Sequence, residues 1–271
     1  MGQNPAHRAE TLLRDGQVDE ALLELQAGVR SNAADPRLRV FLAQLLMVQG
    51  AWERALGQLQ VAAQIDAANA SMAYAYREAI AAERLRNKVF AGTQKPALLG
   101  EPESWMAMHI DGFQTLSAGR RDAEIGLSIT RAFETAPQIA GRINGQEFAW
   151  LGDADMRLGP VFELLVNGRY FWVPGQYVKS LTFESPQDLR DLIWLPGEVE
   201  WVNGGTAAVF MPVRYPGSES AAAAHKLARQ TDYFELAPNF WIGMGQRVLV
   251  TDVDEYPVLE IRTIEFDATS Q

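Results

Sequence analysis

The sequence predicts an α+β fold in two parts: an α-helical repeat domain over residues 1–92 and a mixed domain with a curved antiparallel sheet over residues 93–271. Three observations predict it. Composition changes near residue 90: the first ninety residues hold only Pro5 and Pro36 of the 13 prolines, one of the 7 tryptophans, and many good helix formers. Charge divides at the same place. Residues 1–90 carry 10 basic and 10 acidic side chains, so residues 91–271 carry the whole net charge of −10. Finally, the first part repeats itself, and the second has turn dipeptides between apolar runs.

The repeat is direct. Gly16 aligns with Gly50, Ala21 with Ala55, Leu25 with Leu59 and Val29 with Ala63, each pair 34 residues apart. That period is the tetratricopeptide (TPR) spacing of helix, tight turn and second helix, so the first domain is expected to be TPR-like. Gly16 and Gly50 suit the turn, where positive φ is needed. Ala21 and Ala55 suit the close approach of paired helices. Asp35-Pro36 ends one unit and opens the next helix, where proline's missing N–H costs nothing. A third unit would need glycine at 84, where Arg84 stands, so residues 68–89 are expected to form one capping helix with Met72, Ala75, Ile80 and Leu85 on its buried side. Two units and a cap are marginal alone, so the second domain is expected to lean on them.

The linker is placed near Phe90–Pro96. Helical spacing of Trp105, Met108, Phe113 and Leu116 predicts a helix over 101–119, and another follows over 122–133. Strands are then expected at 147–151, 160–166, 169–173, 198–202, 206–213, 247–251 and 258–266. Asn167-Gly168 between two of these runs is a strong hairpin signal, because both central turn positions favour positive φ. Asn203-Gly204-Gly205 marks a second turn. Short helices are expected at 186–191 and 218–229.

Composition removes several chemistries. With no cysteine there are no disulfides, thiolate nucleophiles or Cys-bearing zinc sites. Three histidines, His7, His109 and His225, argue against a His-rich metal centre. An acidic chain is a poor ligand for nucleic acid or a membrane surface. No apolar run reaches the roughly 18 residues of a membrane span, and the chain begins without an apolar signal core, so a cytoplasmic protein is expected. No phosphate-binding glycine loop and no nucleophile elbow occurs; Gly243-Met244-Gly245 precedes a strand rather than a helix. No catalytic residue, cofactor or metal is therefore expected. One alternative is an enzyme or metal site around Asp153, Asp155 and Arg157, with Glu163 nearby, but closely spaced carboxylates more often cap turns. Arg157, Arg190, Arg214 and Arg229 stand at element edges, where a five-donor guanidinium can pin loops.

The interaction surface predicted from repeat geometry is the concave face, formed by the first helix of each unit. Arg37, Val40, Gln44, Met47 and Val48 would lie on it, with Tyr74 from the cap. Val40, Met47 and Val48 are apolar where a solvated face would be polar, which suits a groove for an amphipathic helix.

The strings DADMRLGPVFELLVNGRYFWVPGQYVKSLTFESPQDLRDLIWLPGEVEW, MPVRYPGSE, LARQTDYFE and GMGQRVLVTD together resemble the ImpE/TagJ family, accessory proteins of type VI secretion systems. The likeness extends over roughly residues 8–266, with its motifs concentrated between 150 and 252. It implies a non-enzymatic adaptor that binds the N-terminal helix of the small contractile-sheath subunit and contacts the AAA+ ATPase that disassembles contracted sheaths. It carries over no catalytic residues and assigns no residues to the peptide site.

Overall fold

The computed structural model describes residues 4–101 and 103–267. Its first part is an array of antiparallel helices: α1 (Pro5–Arg14), α2 (Val18–Ser31), α3 (Pro36–Val48), α4 (Trp52–Ile65) and α5 (Ala70–Phe90). Each repeat opens as its sequence dictates. Asn4 and Asp35 accept backbone N–H bonds as N-caps, with Pro5 and Pro36 in the first helical turn. Gly16 and Gly50 take φ of +75° and +68° in the turns, and Ala21 and Ala55 are fully buried where paired helices meet.

The second part opens with β1 (Ala97–Leu98) and the helix pair α6 (Ser104–Ser117) and α7 (Ala123–Thr135). Strands follow: β2 (Gly141–Ile143), β3 (Gln146–Phe148), β4 (Leu151–Asp153), β5 (Val161–Val166), β6 (Arg169–Pro174), β7 (Val178–Phe183), β8 (Trp194–Trp201) and β9 (Thr206–Pro212). After the short helix α8 (Ala223–Lys226) come β10 (Thr231–Ala237), β11 (Phe240–Gly245), β12 (Val248–Thr251), β13 (Glu255–Pro257) and β14 (Thr263–Phe266). The main sheet has nine strands in the order β1-β6-β5-β9-β8-β7-β14-β2-β3, antiparallel except for β1 against β6. A three-stranded sheet, β13-β12-β4, and the ribbon β10-β11 complete the domain.

Alternation along the strands gives the main sheet two faces. Glu163, Leu165, Tyr170, Trp172, Trp194 and Phe210 share one face by register, and the helices pack there. Leu164, Val173, Leu181, Leu195, Val199 and Ile264 point the other way, into a second core with Leu249 and Val258. The larger core is continuous across the junction, from Leu25 and Leu59 of the repeats to Trp172 and Trp194 of the sheet.

Several sequence expectations change in three dimensions. The expected strand at 147–151 is two strands in different sheets, β3 and β4. The expected strand at 258–266 begins as a 3-10 turn, with β14 only at its end. Residues 186–191 form no helix: 186–187 are irregular, 188 is a bend and turns run on from 189, with the Asp191 carboxylate accepting the Gln187 and Asp188 N–H groups. Between 218 and 229 only a 3-10 turn and the four-residue α8 form. Capping helix α5 buries Tyr76, Ala79, Ile80, Glu83, Arg86 and Val89, while Met72, Ala75 and Leu85 are half-buried. It lies between repeats and sheet, so its most enclosed side faces the sheet rather than the repeat stack alone.

Candidate functional site

The protein's own second domain meets part of the concave face of the repeats, leaving an open cleft of about 560 Å³ between α1, α3 and residues 186–192, which Gln44 lines. Met47 and Val48 have no exposed surface and Gln44 retains 8%. The Arg214 guanidinium donates to the Val48 carbonyl at 2.8 Å and to that of Lys226 at 2.6 Å. Arg229 donates to the carbonyls of Leu13 and Arg14 at the end of α1. The Trp194 ring meets Trp52 and Tyr76, with centroids 5.7 and 6.1 Å away. The predicted set of Arg37, Val40, Gln44, Met47, Val48 and Tyr74 therefore does not form one open groove. Arg37 is exposed, Val40 half-buried, and Tyr74 stands 59% exposed on α5. The burial of Met47 and Val48 has a plain cause: an apolar concave face is also a good seat for a domain on the same chain, which loses little entropy on docking.

A further open groove lies between α4 and α5. It encloses about 730 Å³ and is lined by Leu56, Gly57, Leu59 and Ala63 of α4 and by Ala70, Ala73 and Tyr74 of α5. Glu53 and Arg77 place opposite charges along it. The Arg77 guanidinium lies over the Tyr74 ring, 4.8 Å from its centroid, so this rim is at once aromatic and cationic. A Cβ built on Gly57 would meet nothing within 4 Å, so the floor is low there. Tyr74 alone of the predicted residues lines this groove.

The alternative centre at Asp153, Asp155 and Arg157 is a buried ionic network. Asp155 accepts from Arg157 through both its guanidinium and backbone N–H, and from the Gly243 N–H at 2.9 Å. Asp153 accepts from Arg247 at 2.7 and 2.9 Å, from the Tyr215 hydroxyl at 3.0 Å and from the Asp155 N–H at 2.8 Å. Glu163 takes a bidentate pair from Arg86 at 2.7 and 2.8 Å and accepts from the Tyr170 hydroxyl. Arg86 also donates to Glu83 at 3.0 Å, and Glu83 accepts from the Trp194 indole N–H. Burial alone would raise the Glu163 carboxyl, but Arg86 and Arg247 hold it down to about 2. At Asp153 burial prevails over Arg247 and raises the carboxyl to about 6. An apolar cleft of about 210 Å³ between Phe133, Trp150, Met156 and Val250 reaches Asp153 but includes neither Asp155 nor Arg157. Among the described residues no three His, Asp or Glu side chains are placed to hold a metal ion.

The predicted pinning role suits all four arginines. Arg157 and Arg190 pair with Asp155 and Asp188, and Arg214 and Arg229 bind carbonyls. Sequence reading missed Arg86, Glu83 and Arg247, which carry the network between α5, β5 and β4. The signal was present: Ala79, Glu83 and Arg86 occupy i, i+4 and i+7 of a buried stripe. His109 stacks on Trp172, 5.1 Å between centroids, and its Nε2–H donates to the Arg157 carbonyl. Burial lowers it to about 4 against that hydrogen bond, so the ring is neutral.

A helical array packed through one shared core onto a mixed-sheet domain, with Asp153, Asp155 and Glu163 paired to arginines and several open grooves between its elements, defines an α+β class of protein. Residues 145–265 match the family model described as ImpE protein. The chain is 43% identical to the type VI secretion system accessory component TagJ of Pseudomonas aeruginosa over 262 residues, covering 96% of this chain and 92% of that one. It therefore belongs to the ImpE/TagJ family. The fold is shared with a crystal structure of protein VPA1032 from Vibrio parahaemolyticus at a TM-score of 0.87, with 24% identity and coverage of 97% and 98% of the two chains. No helix among the described residues is long and apolar enough to cross a membrane.

Proposed function

We propose that this protein is a cytoplasmic, non-enzymatic accessory component of a type VI secretion system. It captures the N-terminal helix of the small contractile-sheath subunit and helps bring the AAA+ disassembly ATPase to the sheath. Family membership and the name of the Pseudomonas relative support the system. One observation carries the mode of binding: the open groove between α4 and α5. In a helical-repeat array each unit adds a second helix, which packs beside the previous unit's second helix. Here α5 is the first helix of an incomplete unit, and the chain leaves it for β1. The vacant groove is where the missing helix would lie. A partner helix bound there completes the array, its apolar i, i+3, i+4 and i+7 side chains over Leu56, Leu59 and Ala73.

The test is titration calorimetry with a peptide spanning the N-terminal helix of the cognate small sheath subunit. Gly57→Leu and Ala73→Leu fill the groove from its two walls and should each weaken binding about tenfold or more. Tyr74→Ala should weaken it less. Unchanged affinity in both filling variants would place the peptide elsewhere. The broader adaptor reading fails if the intact, folded protein retains neither sheath subunits nor ATPase when each is supplied separately.

A further inference from the structure

The helix-facing side of the main sheet is only half covered. Around β5 and β6 it meets α5 and α6, but towards β7, β14 and the far part of β8 it carries Thr182, Glu184, Glu198 and Glu265, all exposed. A second groove, about 570 Å³, runs where cover ends, between α5 and the sheet. Leu165, Pro196, Ala208 and Phe210 line it, with Glu78 and Glu184 at its rim. Tyr74 is the ridge that separates it from the groove between α4 and α5. Glu78 is paired with Arg77, Glu200 with Lys179, and Glu147 with Arg142, which also stands opposite Glu265. Among the described residues, Glu184 and Glu198 have no such cation beside them.

We propose that this groove, with the acidic sheet face beyond it, docks a cationic polypeptide segment carrying an apolar anchor. Charge decides the occupant. Nucleic acid and anionic lipid are repelled by the glutamates, and a neutral apolar helix would leave them without partners at the interface edge. A segment with Lys or Arg on either side of a Leu satisfies both features: the apolar side chain enters between Leu165, Ala208 and Phe210, and the cations reach Glu184 and Glu198. Rim charges of this kind chiefly set association rate and selectivity, while the buried anchor sets residence time. The site lies apart from the helix groove proposed above, so the adaptor would hold two partners at once, one on each side of Tyr74.

Fluorescence anisotropy on the full chain tests this with a fluorescein-labelled Lys-Arg-Leu-Lys-Arg-Leu-Lys-Arg peptide and its counterpart with Ser for Leu. The Leu peptide should bind, and more weakly as salt rises. Glu184→Lys with Glu198→Lys should weaken it about tenfold or more, as should Ala208→Trp, which fills the groove. The Ser peptide should bind about tenfold more weakly than the Leu peptide. No binding of the Leu peptide, equal binding of the two peptides, or affinity unmoved by either variant would each overturn the proposal. The substituted positions are exposed, and thermal melts should confirm intact folding. If the Lys pair fails to fold, Glu184→Gln with Glu198→Gln carries the same comparison. Gly57→Leu should leave this peptide's affinity unchanged, so the two grooves stand or fall separately.

Discussion

Arg86 and Glu163 lie 77 positions apart in the chain, and both are enclosed. Removing Arg86 takes the closest cation from both Glu163 and Glu83, leaving Glu163 with Arg247 at 3.4 Å in a medium that solvates charge poorly. Arg86→Met should therefore destabilise by about 3–5 kcal/mol in chemical denaturation, far more than loss of an exposed pair such as Lys95–Asp111. The same network predicts opposing pH responses. The folded Asp153 carboxyl is raised from 3.8 to about 6, so its contribution is full below 3.8 and is lost as pH rises through 6. Folded His109 is lowered from 6.5 to about 4, so its contribution is present above 6.5 and lost as pH falls through 4. Measured against the parent, His109→Phe should become less stable as pH rises from about 4 to about 6.5, and Asp153→Asn should become more stable as pH rises from about 4 to about 6. Urea midpoints across that range check both signs. A His109→Phe difference independent of pH would mean the ring titrates alike in both states.

Helix starts were the most legible elements, because a cap is a local device. Asp35 accepts the Arg37 and Leu38 N–H groups at 2.8 and 3.2 Å, and Pro36 follows in the first turn. Asp35→Ala should cost about 1 kcal/mol of global stability, read from the denaturation midpoint. The Asn167-Gly168 hairpin was equally legible, with φ of 50° and 72° between β5 and β6. Strand 147–151 was not, because its outcome depends on partners remote in sequence, and 186–191 was not, because the Asp191 side chain turns back on the Gln187 and Asp188 N–H groups. The Ala149 N–H is taken by the Asp252 side chain at 2.7 Å, between the strands that join separate sheets. The hairpin β10–β11 escaped for a related reason: its outer residues Phe234 and Trp241 are exposed, so no clean apolar alternation marks a buried face.

Across the whole molecule, the two parts share one core rather than meeting at a polar interface. The cluster joining Met47, Val48 and Tyr76 to Trp172 and Trp194 predicts a single cooperative transition, with far-UV circular dichroism and tryptophan fluorescence coinciding. Residues 1–92 alone would expose Met47, Val48 and Tyr76 together and leave Glu83 and Arg86 without their sheet partners. That fragment should lack a cooperative melt and aggregate at concentrations where the full chain stays monodisperse. A sharp, reversible melt of the fragment would contradict the shared core.

By itself the sequence determined what neighbouring residues decide: the period of 34, the caps, the glycine turns, the Asn-Gly hairpin and the resemblance that named the family. It also showed that Val40, Met47 and Val48 made an apolar concave face, because helical periodicity exposes which residues share a side. Only the tertiary structure decided what covers that face. Apolar periodicity records that a surface wants burial and carries no address for its partner. Val48 is met by Arg214, 166 positions away. The groove between α4 and α5 was left open for the converse reason: its floor is made of small residues, Gly57, Ala63, Ala70 and Ala73, whose pattern signals close approach only when two helices lie side by side in space.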